Sequence, residues 1–483
     1  MSLFVGILTE TASIELSSGF TRRSPVSEQS ELYLCETVAL LTASLSAGSE
    51  ADAVRGSELL RGIIEVELGQ LHLALCLSNQ QPQLMEALCA VATRRLAALA
   101  GLTKGYSCKN NTAAVPVFEA AASAVVSVTQ RLAFQRGVRS KVMIFLHRMV
   151  ACIGSRVLGY QEQILPVLLA HADSSDADEV VQVLNQLMVE YLHECLPLVQ
   201  TLFGVVVDKY SALSSALESV SVLPGQEGSA IEAPHVHAER LALHRQYLLF
   251  VQHVVTCGCA AALFTPEHLP RLEGILFSVV LPALAGGAVS SDAGKEVSSQ
   301  ALRVNPNHIG NSDTQDSVPV RKGGLVILNG LVTSWLLPPT LSSAPAGSAV
   351  PTPPPAEVAN AFRSYLLDQA LPRAIHSISA WCAPATGSGC AVKSQLNVKD
   401  AAAQGVLIEL AVLLRNTHSV LSFDPASQSV SNIPASSAYF TSMLQSVGWP
   451  GHKVQIFLQQ LTAQTPLGTY KETFKLFIRE CSA

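Results

Sequence analysis

The residues that could carry chemistry in this 483-residue sequence are few and scattered. Cys257 and Cys259 form a Cys-x-Cys pair some twenty residues after His235 and His237, and thiolate and imidazole are the usual ligands of a tetrahedral zinc ion. Cysteines within apolar helical runs and histidines in loops have a plainer reading as core and solvated side chains, so no metal site is expected here. Met85, Met143, Met149 and Met188 fall at apolar helical positions and read as core fillers. The sequence lacks a Walker-type phosphate loop, a Gly-x-Ser-x-Gly elbow, a His-Glu-x-x-His pair and a Gly-rich dinucleotide fingerprint. With no catalytic residue, metal or cofactor to assign, the expectation is a binding protein and not an enzyme.

The binding chemistry suggested by the sequence is electrostatic. Between Arg94 and Arg156 stand ten basic residues, Arg94, Arg95, Lys104, Lys109, Arg131, Arg136, Arg139, Lys141, Arg148 and Arg156, against the single acid Glu119. Residues 1–93 hold four basic and eleven acidic side chains, and residues 157–483 hold seventeen and twenty-five, which brings the formal charge to -6. A basic block between acidic flanks is a footprint for an anionic partner, and these ten residues are the candidate contacts. Lys141 and Arg148 are seven residues apart, so on a helix they share one edge while the apolar stripe Val142, Phe145, Leu146, Met149, Val150, Ile153 faces the core. His147 points away from that stripe, as a solvated or groove-facing side chain.

The elements that must position these residues are helices. Val180, Val183, Leu184, Leu187, Met188, Tyr191 and Leu192 recur at helical spacing, with Asp176 and Asp178 as possible caps. The run Leu241, Leu243, His244, Tyr247, Leu248, Val251, Val254, Val255 repeats the pattern. Short breaks at 154–160, 172–178 and 196–197 separate such helices, and two helices occupy roughly 40 residues, the HEAT-like period. The expected fold is therefore all-α, a HEAT-like α-α superhelix of stacked antiparallel helix pairs, with repeats over 1–285 and 321–483. A low-complexity insertion or linker is expected at 286–320, a Pro-rich loop at 337–356 and a shorter break at 224–234.

With 49% apolar and 14% charged residues, the chain can bury a large core. Eleven scattered cysteines read as buried, reduced thiols of an intracellular protein. The start, MSLFVGILTETASIEL, lacks the basic and long apolar regions of a secretory signal, and no uninterrupted apolar run reaches membrane-spanning length. The expectation is a soluble protein.

The stretch RSKVMIFLHRMVACIGSRVLGYQEQILPVLL, Arg139 to Leu169, resembles the exportin-T family of the importin-β (karyopherin) superfamily. Val142, Phe145, Leu146, His147, Arg148, Met149 and Val150 fit a helix pattern of that family, while Gly159-Tyr160 replaces its Pro-aromatic pair. Leu32 to Leu41, Leu102 to Tyr106, Val183 to Leu187, Arg245 to Val251, Asp400 to Ser419 and Thr473 to Cys481 resemble further family segments in the same order. The resemblance implies a nuclear export receptor that binds folded tRNA by shape and phosphate backbone, together with the GTP form of the small GTPase Ran, and shuttles through nuclear pore proteins between nucleus and cytoplasm. It covers roughly the C-terminal half of such a receptor, so the N-terminal repeats that first grip Ran are expected to be missing. Folded RNA is read through phosphates and 2′-hydroxyls, which suits scattered Lys and Arg. The alternative is a helical scaffold, or another karyopherin-type receptor, with protein cargo.

Overall fold

The computed structural model describes residues 26–80, 82–221, 234–285, 314–337, 353–382, 401–424, 429–430, 433–463 and 465–482. Among these residues the chain is all-α, apart from a two-residue antiparallel pair in which Phe423 lies opposite Val430. It divides into two compact units, the first ending at Ser214 and the second beginning at Ser215.

The first unit contains α1 (Glu28–Ser46), α2 (Glu50–Gln80), α3 (Met85–Leu102), α4 (Val115–Leu132), α5 (Arg136–Ile153), α6 (Val157–His171) and α7 (Ser174–Tyr191), and the division falls inside α8 (Leu196–Ser221). Helices α1, α3, α5 and α7 pack side by side as one layer, and α2, α4 and α6 as a second, with chain neighbours joined across the layers. This is the stacked-pair architecture expected from the periodicity. On α5 the apolar stripe is fully used: Val138, Val142, Phe145, Leu146, Met149 and Ile153 are all buried. Close approach of α1 and α3 needs Gly101, where an added Cβ would lie 2.9 Å from Leu32 Cδ1 and 3.1 Å from Cys35 Cβ.

Helix α7 is capped one turn earlier than the sequence suggests. Asp173 is the N-cap, its carboxylate accepting from the Asp176 amide at 2.8 Å, which frees the Asp176 side chain for a different role. Gly154, at φ +64°, ends α5 in a conformation that L side chains rarely adopt.

Two segments, Thr112–Leu132 and Arg136–His171, are apolar and long enough to cross a bilayer by composition. They are the α4 and α5–α6 regions of the stack, and 56% and 50% of their most apolar windows are buried against neighbouring helices. Tight packing in a helical core accounts for their hydropathy.

The second unit contains α9 (Pro234–Thr256), α10 (Leu269–Ile275), α11 (Leu281–Ala285), α12 (Thr314–Leu331), α13 (Ala356–Tyr365), α14 (Leu371–Cys382), α15 (Ala401–Ser422), α16 (Ile433–Ser446), α17 (Gly451–Thr462) and α18 (Leu467–Ser482). Helices α9, α12, α15 and α18 form one side-by-side layer. Three π-turns, Leu276–Val280, Val332–Leu336 and Leu366–Ala370, extend or join these helices. Each is followed in sequence by a Leu-Pro step, at 281–282, 337–338 and 371–372. Proline removes a backbone donor and crowds the carbonyl four residues back, and a wider turn relieves both. The effect depends on context, since α6 continues through Leu165-Pro166 without one.

The chain does not divide at the 286–320 stretch read as an insertion or linker, the division falling at Ser214 and Ser215. The reason is packing: α9 and α11, before that stretch, both rest against α12 after it, so the stack resumes on itself. Helix α12 also begins at Thr314, inside the stretch read as an insertion, while 286–313 and most of the Pro-rich 337–356 lie outside the described residues.

Inside α9, burial lowers the His244 imidazole to a pKa of about 4, with Arg240 adding to the effect. Its folded-state pKa is below the unfolded value, so the unfolded chain takes the proton first as pH falls. Stability is therefore expected to be retained above about pH 6.5 and to decline on acidification toward pH 4. The decline in melting temperature across that window is expected to be smaller in His244→Gln than in the parent chain, after allowing for any constant offset.

Candidate nucleic-acid interface

The ten basic candidates separate into three environments. Arg95 on α3 is completely buried, with Nη2 2.8 Å from Glu31 Oε1 of α1 and Nη1 3.0 Å from Glu67 Oε2 of α2. Its neighbour Arg94 pairs with the same Glu31 and donates from Nη2 to the Val26 carbonyl at 2.8 Å. Two arginines and two carboxylates thus meet in a neutral group joining three helices. Burial, reinforced by Glu67 and Glu31, pushes the adjacent Cys35 thiol well above its ordinary pKa and keeps it protonated.

Arg139 on α5 is also buried. Its Nε donates to Asp176 Oδ2 of α7 at 2.7 Å, and its Nη1 donates to the Ala133 and Phe134 carbonyls at the end of α4, at 2.9 and 3.1 Å. Asp176 therefore serves as the partner of Arg139 and not as a cap. Neither Arg95 nor Arg139 is available to a macromolecule, because burial of a charge in this form is tolerated only when paired and hydrogen-bonded.

The second group is exposed or half-buried and paired across repeats: Lys104 with Glu36, Arg136 with Asp173 at 3.8 Å, and Arg156 with Glu119 at 3.4 Å. Of the acids that partner these six residues, only Glu119 belongs to the basic block. Glu31, Glu36, Glu67, Asp173 and Asp176 come from the acidic flanks. Much of the charge segregation along the chain is cancelled where neighbouring repeats touch.

Four candidates remain without an ion pair among the described residues: Lys109, Arg131, Lys141 and Arg148. They do not form one cluster. Lys109 lies in the α3–α4 loop, and Arg131 in the last turn of α4, where a cation suits the helix dipole. Lys141 and Arg148 share the solvent-facing edge of α5, both partly exposed, with Ile144 41% exposed between them. Seven residues of helix set their Cα atoms roughly 10 Å apart along the axis. Between them His147 makes a 2.7 Å hydrogen bond through Nδ1 with Gln186 Oε1 of α7, which fixes the ring at the groove between α5 and α7. Glu179 of α7 tempers the field there; its pKa is raised mainly by burial and by Asp176, and lowered by His147 and Arg136.

This edge can hold anionic oxygens by charge and hydrogen bonding, and presents no nucleophile and base in contact. Among the described residues no three His, Cys, Asp or Glu side chains gather as metal ligands. Cys259 is buried in the second unit and Cys257 is half-buried with its thiol raised by burial; the side chains of His235 and His237 lie outside the described set. Counting charge by window also passed over Arg55 and Arg61, exposed on α2 without an ion pair among the described residues. Glu58 and Glu65 on the same helix masked them in the average.

A family model described as Exportin-T matches residues 13–291, more than half of the chain. The chain belongs to the exportin-T family. Its stacked pairs are a helical solenoid of the importin-β type, and the α5 edge lies inside the matched region. Among curated relatives, Exportin-T of Dictyostelium discoideum is 21% identical over 75% of this chain and 27% of the relative. Exportin-T of Danio rerio and of Homo sapiens are each 22% identical over 54% of this chain and 26% of the relative. The matched regions thus span about a quarter of the length of these relatives.

The buried and exposed cations are distinguishable by stability. Arg95→Ala removes the guanidinium from a buried ion-paired group and is expected to cost about 3–5 kcal/mol, whereas Lys141→Ala should stay within about 0.5 kcal/mol. Urea denaturation followed by circular dichroism reads the difference; equal midpoints for the two variants would contradict the assignment of Arg95 as a structural tie.

Proposed function

We propose that this chain is part of a nuclear export receptor for tRNA, acting with the GTP form of Ran and shuttling between nucleus and cytoplasm through nuclear pore proteins. Membership of the exportin-T family supports the transport class, and a transport receptor requires no catalytic chemistry. The observation that carries the RNA reading is the unpaired Lys141 and Arg148 on one open edge of α5, within the family-matched region. Cations there gain most from a partner that brings its own negative charge and releases counterions on binding. Of the original ten candidates, Lys141 and Arg148 are the proposed main contacts, with Lys109 and Arg131 as peripheral ones. Lys104, Arg136 and Arg156 contribute only to the extent that their carboxylate partners yield, and Arg94, Arg95 and Arg139 hold the scaffold.

The test is titration of this chain with labelled tRNA, with and without GTP-loaded Ran, over a range of salt concentrations. Replacing both Lys141 and Arg148 by Glu is expected to weaken tRNA binding by about tenfold or more at low salt. Neutral replacement of both by Gln should flatten the slope of log K against log salt by about two. Arg136→Gln, which removes a cation already paired, should change affinity much less. Unchanged affinity in the Glu double variant removes this edge from the binding surface.

A further inference from the structure

The second unit contains a cleft that the transport reading does not use. It has a volume of about 500 Å³, and Leu272, Leu276, Phe277, Trp335, Phe362 and Tyr365 contribute to its apolar wall. That volume lies in the range of sites that enclose a compact ligand or a few large side chains. All three π-turns among the described residues border it: Leu276 and Phe277 belong to the first, Trp335 to the second, Asp368 and Gln369 to the third. Such turns often mark functional sites because they turn side chains out of the ordinary helical register.

The wall is rigidly built. Trp335 meets Phe362 edge-on at 5.2 Å between centroids and Phe264 at 4.9 Å, and Phe277 meets Tyr365 edge-on at 5.0 Å. The Tyr365 hydroxyl donates to the Leu276 carbonyl at 2.7 Å. The carbonyl also accepts the wide-turn bond from Leu281, so the phenol ties the first π-turn to α13. Trp335 is only 6% exposed, and its indole N–H has no acceptor among the described residues.

The rim decides what kind of occupant fits. Glu273 and Asp368 are exposed at the cleft, and no Lys or Arg among the described residues contributes to its lining. Two carboxylates beside an apolar wall repel phosphate, so the cleft is not an extension of the RNA surface, and they equally disfavour an anionic lipid. They complement a cation carried next to apolar side chains. We infer that this cleft is a docking site for a peptide segment of a partner protein that presents bulky apolar side chains flanked by Lys or Arg. Recognition by an amphipathic segment laid into a groove is a common mode for this chemistry.

The probe is a dye-labelled twelve-residue amphipathic peptide of Leu, Trp and Lys, compared by fluorescence anisotropy with a counterpart in which every Lys is Glu. The complete chain is expected to bind the Lys peptide at least tenfold more tightly than the Glu peptide. Ala361→Trp, at an exposed position on α13 that lines the cleft, should weaken the Lys peptide at least tenfold while circular dichroism stays unchanged. Glu273→Lys with Asp368→Lys should reverse the preference between the two peptides, and rests on surface positions that leave the wall intact. Equal affinity for the two peptides, or undiminished binding in a folded Ala361→Trp chain, overturns the proposal. So does a self-association by sedimentation that Ala361→Trp abolishes, since a second copy would then be the occupant.

Discussion

Arg95 carries its charge to a point where α1, α2 and α3 meet, and the rest of the first unit is arranged around keeping it neutralised. A guanidinium removed from water costs several kcal/mol unless its surroundings return the lost hydration. Glu31 and Glu67 do so from two different helices, and Arg94 shares Glu31, so the group is neutral as a whole. The pairing has its largest effect on register. If α3 slides by a turn, two carboxylates and two arginines lose their ion pairs together, whereas an apolar contact at the same place would tolerate many offsets. Arg139 repeats the device one repeat later, joining α4, α5 and α7 through Asp176 and two carbonyls.

These ties explain the position of the open cations. Charges directed inward or sideways are consumed by the acids of adjacent repeats, and those left over reach solvent with no ion pair among the described residues. Lys141 and Arg148 occupy such a place because the opposite side of α5 is closed by Phe145, Met149 and their neighbours. A solenoid layer leaves each of its helices one outward edge, and on α5 that edge is basic.

The second unit uses another constraint. Proline after leucine at 281–282, 337–338 and 371–372 accompanies π-turns at the ends of helical segments. Phe277, Trp335 and Asp368 of these turns line a common cleft. The aromatic contacts there hold α10, α12 and α13 together while leaving room beside them. Both units are stacks of helix pairs, yet the first is fixed by buried charge and the second by aromatic packing around backbone irregularities.

The sequence by itself determined the helical class, the buried stripes and the family. The stripe Val142, Phe145, Leu146, Met149, Val150 appears directly in a 3.6-residue period because each of those positions meets the core through its own helix. Helix starts were less legible: Asp173, Asp176 and Asp178 all lie near the start of α7, and only geometry shows that the first is the cap and the second is the partner of Arg139. Tertiary structure alone decided which cations are free. Glu31 and Arg95 are 64 residues apart in the chain but 2.8 Å apart in space, and charge counted along a sequence cannot register a cancellation made between repeats. The cleft was hidden for the same reason. Its wall is drawn from three separated segments, each unremarked as a local pattern, and a cavity exists only once helices distant in sequence have been set side by side.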